Sequence, residues 1–483
     1  MKSIRLYNAL GRIFPQDISR FELLLFIGSS SILLITLIVS LTLNLPWLML
    51  LPVLAVLLFV LLYDSRIIFY LIVILVPFSA EMQIPMFGSA LQVPTEPLII
   101  MLLAFWVVQS IYINNKEKIE LKSTQRVNYV IYLFLSVLAI SIVTSSLPVV
   151  SAKYFANTLW YVTVCYFFVK SNFRSIYSVK VLISIFFLLS DLVVIYTLIR
   201  HAATGFSSYT SNEVVQPFFS EHGTYAAYLS IIFGIAVGIS FSLERRFLRL
   251  FARLTSIILF VGIIFSYTRA AWLGIAVMLL FLIVIKSKDL LRFKTFISIS
   301  IVAGLVTIFI VYFGVQSSLE RNVQSITDVE KNLSNLERVD RWMAAINMIK
   351  AYPIVGVGYG TYPFHFKKYQ DHRFDTPISN FFGFPHNDYL QLFSETGIFG
   401  ISFWLLLFLI YYRTGIKCYF TIRDNVKQNI LLGSLGGIIT YLVHAFFNGY
   451  LQYDKVAIPF WVTLAIGIIC IELSRNDFDP LKS

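Results

Sequence analysis

Residues 21–43 read FELLLFIGSSSILLITLIVSLTL, and this run decides the fold. It holds one ionisable side chain, Glu22, and a helix needs about 20 apolar residues to cross the roughly 30 Å hydrocarbon core of a bilayer. Lys2, Arg5, Arg12 and Arg20 precede it, and no A-x-A-like cleavage site follows. The pattern predicts an uncleaved first membrane span, not a signal peptide.

Working outward, apolar windows recur at 46–63, 67–79, 96–113, 128–147, 154–170, 178–199, 223–243, 250–267, 269–285, 295–315, 397–412, 429–447 and 456–472. With the first run they make fourteen candidate spans, of which the third has the weakest signal. The composition agrees: 58% hydrophobic residues, 13% charged residues and a mean hydropathy of +0.78, against about a quarter charged in soluble proteins. The expected fold class is an all-α polytopic membrane protein of about 12–14 transmembrane helices with one large, partly helical external loop. Its expected organisation is a bundle over 1–315 of about 11 spans, the external loop over 316–396, and about three further spans within 397–483.

The net charge of +12 raises the question of nucleic acid, and its distribution argues against it. With the N-terminus placed in the cytoplasm, 26 of the 38 basic residues fall in cytoplasmic segments, the positive-inside pattern. Both termini are then cytoplasmic, and the loop over 316–396 lies outside. Among the three cysteines, Cys165 and Cys470 fall in apolar runs and Cys418 in a basic loop. That suggests packing, neither a disulfide framework nor a thiolate metal site.

The external loop is where chemistry can sit. It carries three of the six histidines, His365, His372 and His386. Residues 338–351 predict an amphipathic helix, with Val339, Trp342, Met343, Ala345, Ile346 and Ile349 near helical spacing and Pro353 beyond its end. Gly356, Gly358 and Gly360 then read as a flexible exit into an aromatic-rich, mobile stretch. The dinucleotide-loop reading fails because these glycines follow a helix instead of a strand. Pro385 followed by Asn387 or Asp388 as N-cap predicts a second helix, broken at Gly397 before the next span.

Candidate residues weigh differently. Arg269 opens the tenth span at a tight turn. A snorkelling anchor is its bland explanation, but it is the only basic residue of that hairpin and lies on the side where bare anchors are disfavoured, which favours a function. His222 opens the eighth span on the same side. Arg338 and Arg341 are three apart and flank one another on a helix face, although local pairing with Glu337 and Asp340 would also explain them. His386, a lone histidine, is by spacing alone most simply a structural residue, yet its near-neutral pKa makes it the natural general base here. His365 and His372 with Asp371 and Asp375 are too loosely spaced for a metal, and none is expected.

Three segments carry a resemblance. They are Ser266-Tyr267-Thr268-Arg269-Ala270; Arg338-Val339-Asp340-Arg341-Trp342 leading to Tyr352-Pro353 and Gly356-Val357-Gly358-Tyr359-Gly360; and His386-Asn387-Asp388-Tyr389-Leu390 followed by Glu395-Thr396-Gly397. In this order they resemble the O-antigen ligase and polymerase superfamily of bacterial polyprenyl-linked glycan transferases, over roughly residues 220 to 412. The earlier spans match in hydropathy only. The resemblance implies a GT-C-like, metal-independent, inverting glycosyltransferase of the bacterial plasma (inner) membrane, with no cofactor and its active site on the periplasmic or extracellular face. The implied donor is a glycan on undecaprenyl diphosphate. The acceptor is lipid A-core in a ligase, or another carrier-linked repeat in a polymerase. Membrane lipid and other glycan-assembly proteins are the further partners, and nucleic acid is not one. By the same resemblance His386 is the catalytic base and Arg269 and Arg338 hold the donor diphosphate; Arg341 is a further candidate for the donor site, and Asn387, Tyr389, Glu395 and His222 are expected to support it.

The chemistry fits. Guanidinium groups bind diphosphate oxygens bidentately and stabilise the charge that develops on a leaving group. A flippase or transporter is the alternative from another class, but such proteins bind substrate near the midplane, and Asp191 is the main mid-span charge. A purely structural protein leaves the patterned loop unexplained.

Overall fold

The computed structural model describes residues 20–45, 48, 50–84, 89–112, 122–242, 246–287, 329–370 and 383–474. The described chain is almost wholly helical, and eight of its helices are long and apolar enough to cross a membrane, with four shorter apolar helices beside them. This is an all-α polytopic membrane protein. Thirteen of the fourteen expected spans coincide with helices; the window 295–315 lies outside the described residues.

Residues 1–71 and 72–483 form two compact units. The first contains α1 (Arg20–Leu43) and α2 (Leu50–Tyr63) and enters α3 (Ser65–Leu75). Leu41 and Leu62 are well over half exposed, as expected of side chains that face lipid.

In the second unit, α3 ends in a short 3-10 turn, and the chain then forms an element absent from the sequence reading. Ala80–Ile84 (β1) pairs antiparallel with Ser89–Val93 (β2). There follow α4 (Thr95–Tyr112), α5 (Lys122–Thr144) and α6. The last of these spans 148–172 and is made of Pro148–Tyr161, a π-helical stretch Val162–Phe168 and Val169–Asn172. Then come α7 (Ile176–Ala203), α8 (His222–Ser240), α9 (Arg246–Ile264), α10 (Arg269–Lys286), α11 (Val329–Ala351) and α12 (Tyr362–Tyr369). The chain closes with α13 (Asp388–Tyr419), α14 (Asn425–His444) and α15 (Asp454–Leu473). Cys418, expected in a basic loop, instead sits buried in the last turn of α13 because that helix runs past its apolar window.

The core of this unit is α8 against α14 and α15. Gly234 and Gly238 on α8 face Gly437 and Gly433 on α14 so closely that a Cβ at either position on α8 would come within 2.3 Å of the opposing backbone. Small residues four apart let two helix backbones touch, which is how membrane helices gain packing energy without a hydrophobic driving force. Asp191 on α7, the one flagged mid-span carboxylate, accepts a hydrogen bond from Thr255 on α9 at 2.7 Å. It joins two helices.

Several helices begin at one end of this bundle, as their contacts show. Thr95 of α4 bonds Asp454 of α15 at 2.6 Å, and the main-chain N–H of Asp388 at the start of α13 bonds Ala445, just past α14, at 2.8 Å. Asn157 of α6 bonds Gln452, just before α15, at 2.9 Å.

Candidate functional site

The loop elements settle onto that end. Apolar residues of α11 and α12 form a small core of their own: Ala344, Ala345, Met348, Tyr362 and Phe366, with Val357 between the helices. The helix expected over 338–351 is α11, which starts nine residues earlier, at Val329.

The glycine run is a correction to the sequence reading. Gly356, Gly358 and Gly360 all have positive φ, at 70°, 115° and 75°, and the stretch from Gly356 to Tyr362 is buried and bonded to the main chain of α13 instead of forming an open exit. The physical reason is close approach. A Cβ at Gly356 would lie 2.3 Å from the Glu395 backbone, one at Gly358 would strike Ser145 and one at Gly360 the Tyr154 ring. The amides of Val357 and Gly358 donate to the carbonyls of Ser394 and Glu395, each at 2.9 Å. The main chain of α13 breaks where it must receive this loop: Gly397 has φ 66° and ψ −165°, and Ile398 N–H donates to Pro353 O at 2.9 Å.

His386 is held in the turn that precedes α13. Trp342 Nε1 donates to Pro385 O at 2.9 Å and Arg341 Nη1 to Phe384 O at 2.8 Å, so α11 grips the two carbonyls just before it. On its other side Asn387 caps α13, its side-chain oxygen accepting from Tyr389 N–H at 3.1 Å and Leu390 N–H at 3.0 Å. His386 itself adopts φ 51°, a left-handed conformation uncommon outside glycine, asparagine, aspartate and histidine.

Arg341 is buried, pairs with Glu337 one turn away and lies 3.4 Å from His386 Nε2 through Nη1. Arg338, on the same helix, is exposed. Among the described residues it has no ion-pair partner. His386 is exposed as a residue, yet the protein around its ring desolvates it in part. That enclosure, followed by the nearby Arg341 and Arg338 guanidinium charges, holds its pKa below the usual 6.5, and Glu221 and Glu337 oppose the shift. The imidazole is therefore mainly neutral at neutral pH and exposed, the condition a general base needs.

Glu221 leads to the second cluster. It precedes α8, whose first residue, His222, reaches across to the α10 turn. His222 Nδ1 is 2.7 Å from Ser266 O and 3.0 Å from Thr268 Oγ1. A carbonyl can only accept, so Nδ1 carries the proton and donates it. Tyr267 between them takes φ 54° and donates to Phe206 O at 2.6 Å. Arg269 then starts α10, exposed and, among the described residues, without a hydrogen-bond or ion-pair partner. A guanidinium at a helix N-terminus adds its charge to the unpaired N–H groups there, a favourable place for an anion.

The structure thus brings Arg338, Arg341, His386 and Glu221 together, and ties the Arg269 turn to His222 beside Glu221. Asn387 and Tyr389 stand behind them as anchors, Tyr389 donating to Leu442 O at 2.7 Å and meeting the Phe446 ring at a tilt of 37°. Glu395 is elsewhere: fully buried, it accepts from Tyr362 N–H at 3.1 Å and Gln391 Nε2 at 3.3 Å. His365 Nε2 bonds Ser146 Oγ at 2.9 Å, whereas His372, Asp371 and Asp375 lie outside the described residues. Among the described residues no three His, Cys, Asp or Glu side chains form a group that could hold a metal.

The sequence reading missed one feature of this end, a cavity of about 340 Å³ lined by parts of β2, α4, α6, α13 and the segment before α15. Phe384 and Asp388, which bracket the His386 turn, are on its wall, as are Tyr154, Tyr359 and Glu395. The three arginines are not. No local pattern in the sequence marks the cavity, since its lining comes from segments far apart in the chain.

Compared with known proteins, residues 254–405 match the family model described as O-antigen ligase. The match covers the Arg269 turn, α11, the glycine loop and the His386 turn. It supports the O-antigen ligase and polymerase superfamily and a glycan-transferring activity of that general type. No curated protein matches the chain.

Proposed function

We propose, from the O-antigen ligase domain that residues 254–405 carry, that this chain is a metal-independent, inverting glycosyltransferase of the ligase type. It moves a glycan from undecaprenyl diphosphate to an acceptor hydroxyl on the periplasmic or extracellular face of the inner membrane, with lipid A-core as acceptor. The observation that carries this reading is the Arg341 guanidinium 3.4 Å from an imidazole whose pKa is depressed. A cation-rich patch for a leaving diphosphate stands next to a neutral, exposed base.

In the reaction, the acceptor oxygen attacks the anomeric carbon as the bond from that carbon to the diphosphate oxygen breaks. The electron pair of that bond stays on the diphosphate, whose growing charge Arg269 and Arg338 meet, with Arg341 close by. His386 takes the acceptor proton, a contribution of about 10²–10⁴ in rate. His222 holds the Arg269 turn, and Asn387 holds the His386 turn.

The test uses membranes containing the full chain and a purified undecaprenyl-diphosphate-linked glycan. Arg269→Ala and Arg338→Ala are each expected to cut transfer about tenfold or more at sub-saturating donor while the protein stays in the membrane, and EDTA is expected to leave the wild-type rate unchanged. Undiminished transfer by both variants, or loss with chelator restored by a divalent ion, overturns the donor site. Cells lacking the chain then identify the acceptor: long unattached polymers accumulate for a ligase, single carrier-linked repeats for a polymerase.

A further inference from the structure

The cavity beside His386 has the chemistry of a sugar-binding pocket and the wrong chemistry for a phosphate. Its wall carries four carboxyl groups, Glu81, Glu96, Asp388 and Glu395, against one cation, Lys153. An ionised carboxylate accepts from sugar hydroxyls and a protonated carboxyl can also donate to them, but neither offers an anion net attraction. Around them stand aromatic faces, among them Tyr154, Tyr359 and Trp404, the surfaces on which the apolar face of a pyranose ring rests. The volume, about 340 Å³, is at the lower end of ligand pockets, which run to about 300–1,000 Å³.

An independent observation points to an occupant. Three buried polar atoms of this chain without a partner among the described residues belong to side chains of this one wall: Asn157 Oδ1, Trp160 Nε1 and Glu395 Oε2. Buried polar atoms are paired in more than nine cases in ten, and leaving one unpaired is costly. Neighbouring groups are by contrast locked together. Asn157 Nδ2 donates to Gln452 at 2.9 Å, Gln452 Nε2 donates to Tyr359 Oη at 2.7 Å, and Tyr359 Oη bonds Thr158 Oγ1 at 2.9 Å. The wall is preorganised, with one donor and two acceptors unpaired beneath its surface.

We infer that this cavity is the acceptor subsite and that it takes a sugar residue without negative charge. The inference rests on the transferase reading for the word acceptor. In an inverting displacement the nucleophile approaches opposite the leaving group. With the diphosphate on the arginine side, the acceptor must come from the other side of the His386 turn, where Phe384 and Asp388 open onto the cavity.

The experiment measures binding without turnover. Saturation-transfer NMR on the purified full-length protein in detergent compares methyl glucoside and methyl N-acetylglucosaminide with methyl glucuronide. At least one neutral glycoside is expected to bind saturably and the glucuronide more weakly. Trp160→Phe, which keeps a smaller aromatic ring and removes the donor, and Asn157→Ala are each expected to weaken the neutral ligand about two- to tenfold, the loss of one hydrogen bond. Binding of no neutral glycoside, equal binding of the glucuronide, or unchanged affinity in both variants overturns the assignment. The comparison of neutral and anionic ligands needs no variant, so it decides the matter even if both substitutions unfold the protein. A His386→Asn protein that binds the glycoside normally yet still transfers glycan at the wild-type rate leaves the sugar pocket standing and removes the transferase mechanism instead.

Discussion

Replacing His386 by asparagine separates the proposed base from the backbone that carries it. At φ 51° the position favours residues that tolerate the left-handed region, and asparagine is one of the few that do. The turn is held by bonds that do not involve the imidazole: Trp342 to Pro385 O, Arg341 to Phe384 O and the Asn387 cap. Stability should therefore change by no more than about 0.5 kcal/mol, as for substitutions that remove no packing or buried bond. The rate should fall by ~10²–10⁴, which is ~2.7–5.5 kcal/mol on the barrier. KM for the carrier-linked donor should hold, because no arginine is touched. The assay is single-turnover transfer by purified protein, with thermal unfolding followed in the same detergent. His386→Gly gives a second arm, since glycine accepts the same φ and leaves room in which added imidazole can restore part of the rate. A His386→Asn protein retaining more than about a tenth of the rate, well above the range for loss of a base, refutes the assignment. So does a loss that appears wholly in KM.

Three further outcomes follow. The acid limb of the pH–rate profile should lie below pH 6.5, because His386 acts only when neutral and its pKa is depressed; Arg338→Gln should move the limb up and Glu221→Gln further down, and a limb that ignores both removes the electrostatic argument. Arg269→Lys should keep the charge and lose the fork, and Arg269→Ala should lose both, raising donor KM by about 10- to 150-fold, the equivalent of ~1.5–3 kcal/mol for one bond to a charged group; equal KM values across the series count against a diphosphate at this turn. Gly356→Ala should destabilise the protein by ~2–5 kcal/mol, combining ~1–2 for a left-handed alanine with ~1–3 for overpacking against the Glu395 backbone; an unchanged melting temperature contradicts the close approach.

How much of this could be read from sequence depended on the range of the interaction that decides each feature. Spans such as 178–199 and 456–472 were legible because a bilayer imposes length and polarity on every residue of the run. The Asn387 cap and the Gly397 break were legible because caps and breaks are local. The β1–β2 hairpin was not, since its pattern is short and sits between two membrane spans. The glycine run was misjudged for a related reason. A glycine required by a neighbour 39 positions away, as Gly356 is by Glu395, looks the same in sequence as one that merely loosens a loop. His222 was visible as a helix start, but its grip on Ser266 and Thr268 spans more than forty residues and leaves no local pattern.

The long-range contacts also account for how a site spread over three segments can stay in register. Arg269 and His222 sit at the starts of α10 and α8, and α8 is seated on α14 through paired glycines with no side chain between the backbones. Arg338 and Arg341 ride on α11, which meets α13 at the glycine loop, and α13 is bonded by Asp388 N–H to Ala445 at the end of α14. Tyr441 of α14 also donates to Asp388 Oδ2 at 2.6 Å. Both halves of the arginine and histidine cluster are thus referred to one helix, α14, which carries none of the proposed catalytic groups itself. Placement within a fraction of an ångström is what converts proximity into rate. The glycines of α8, α14 and the loop before α12 are therefore as much a requirement of the proposed chemistry as His386.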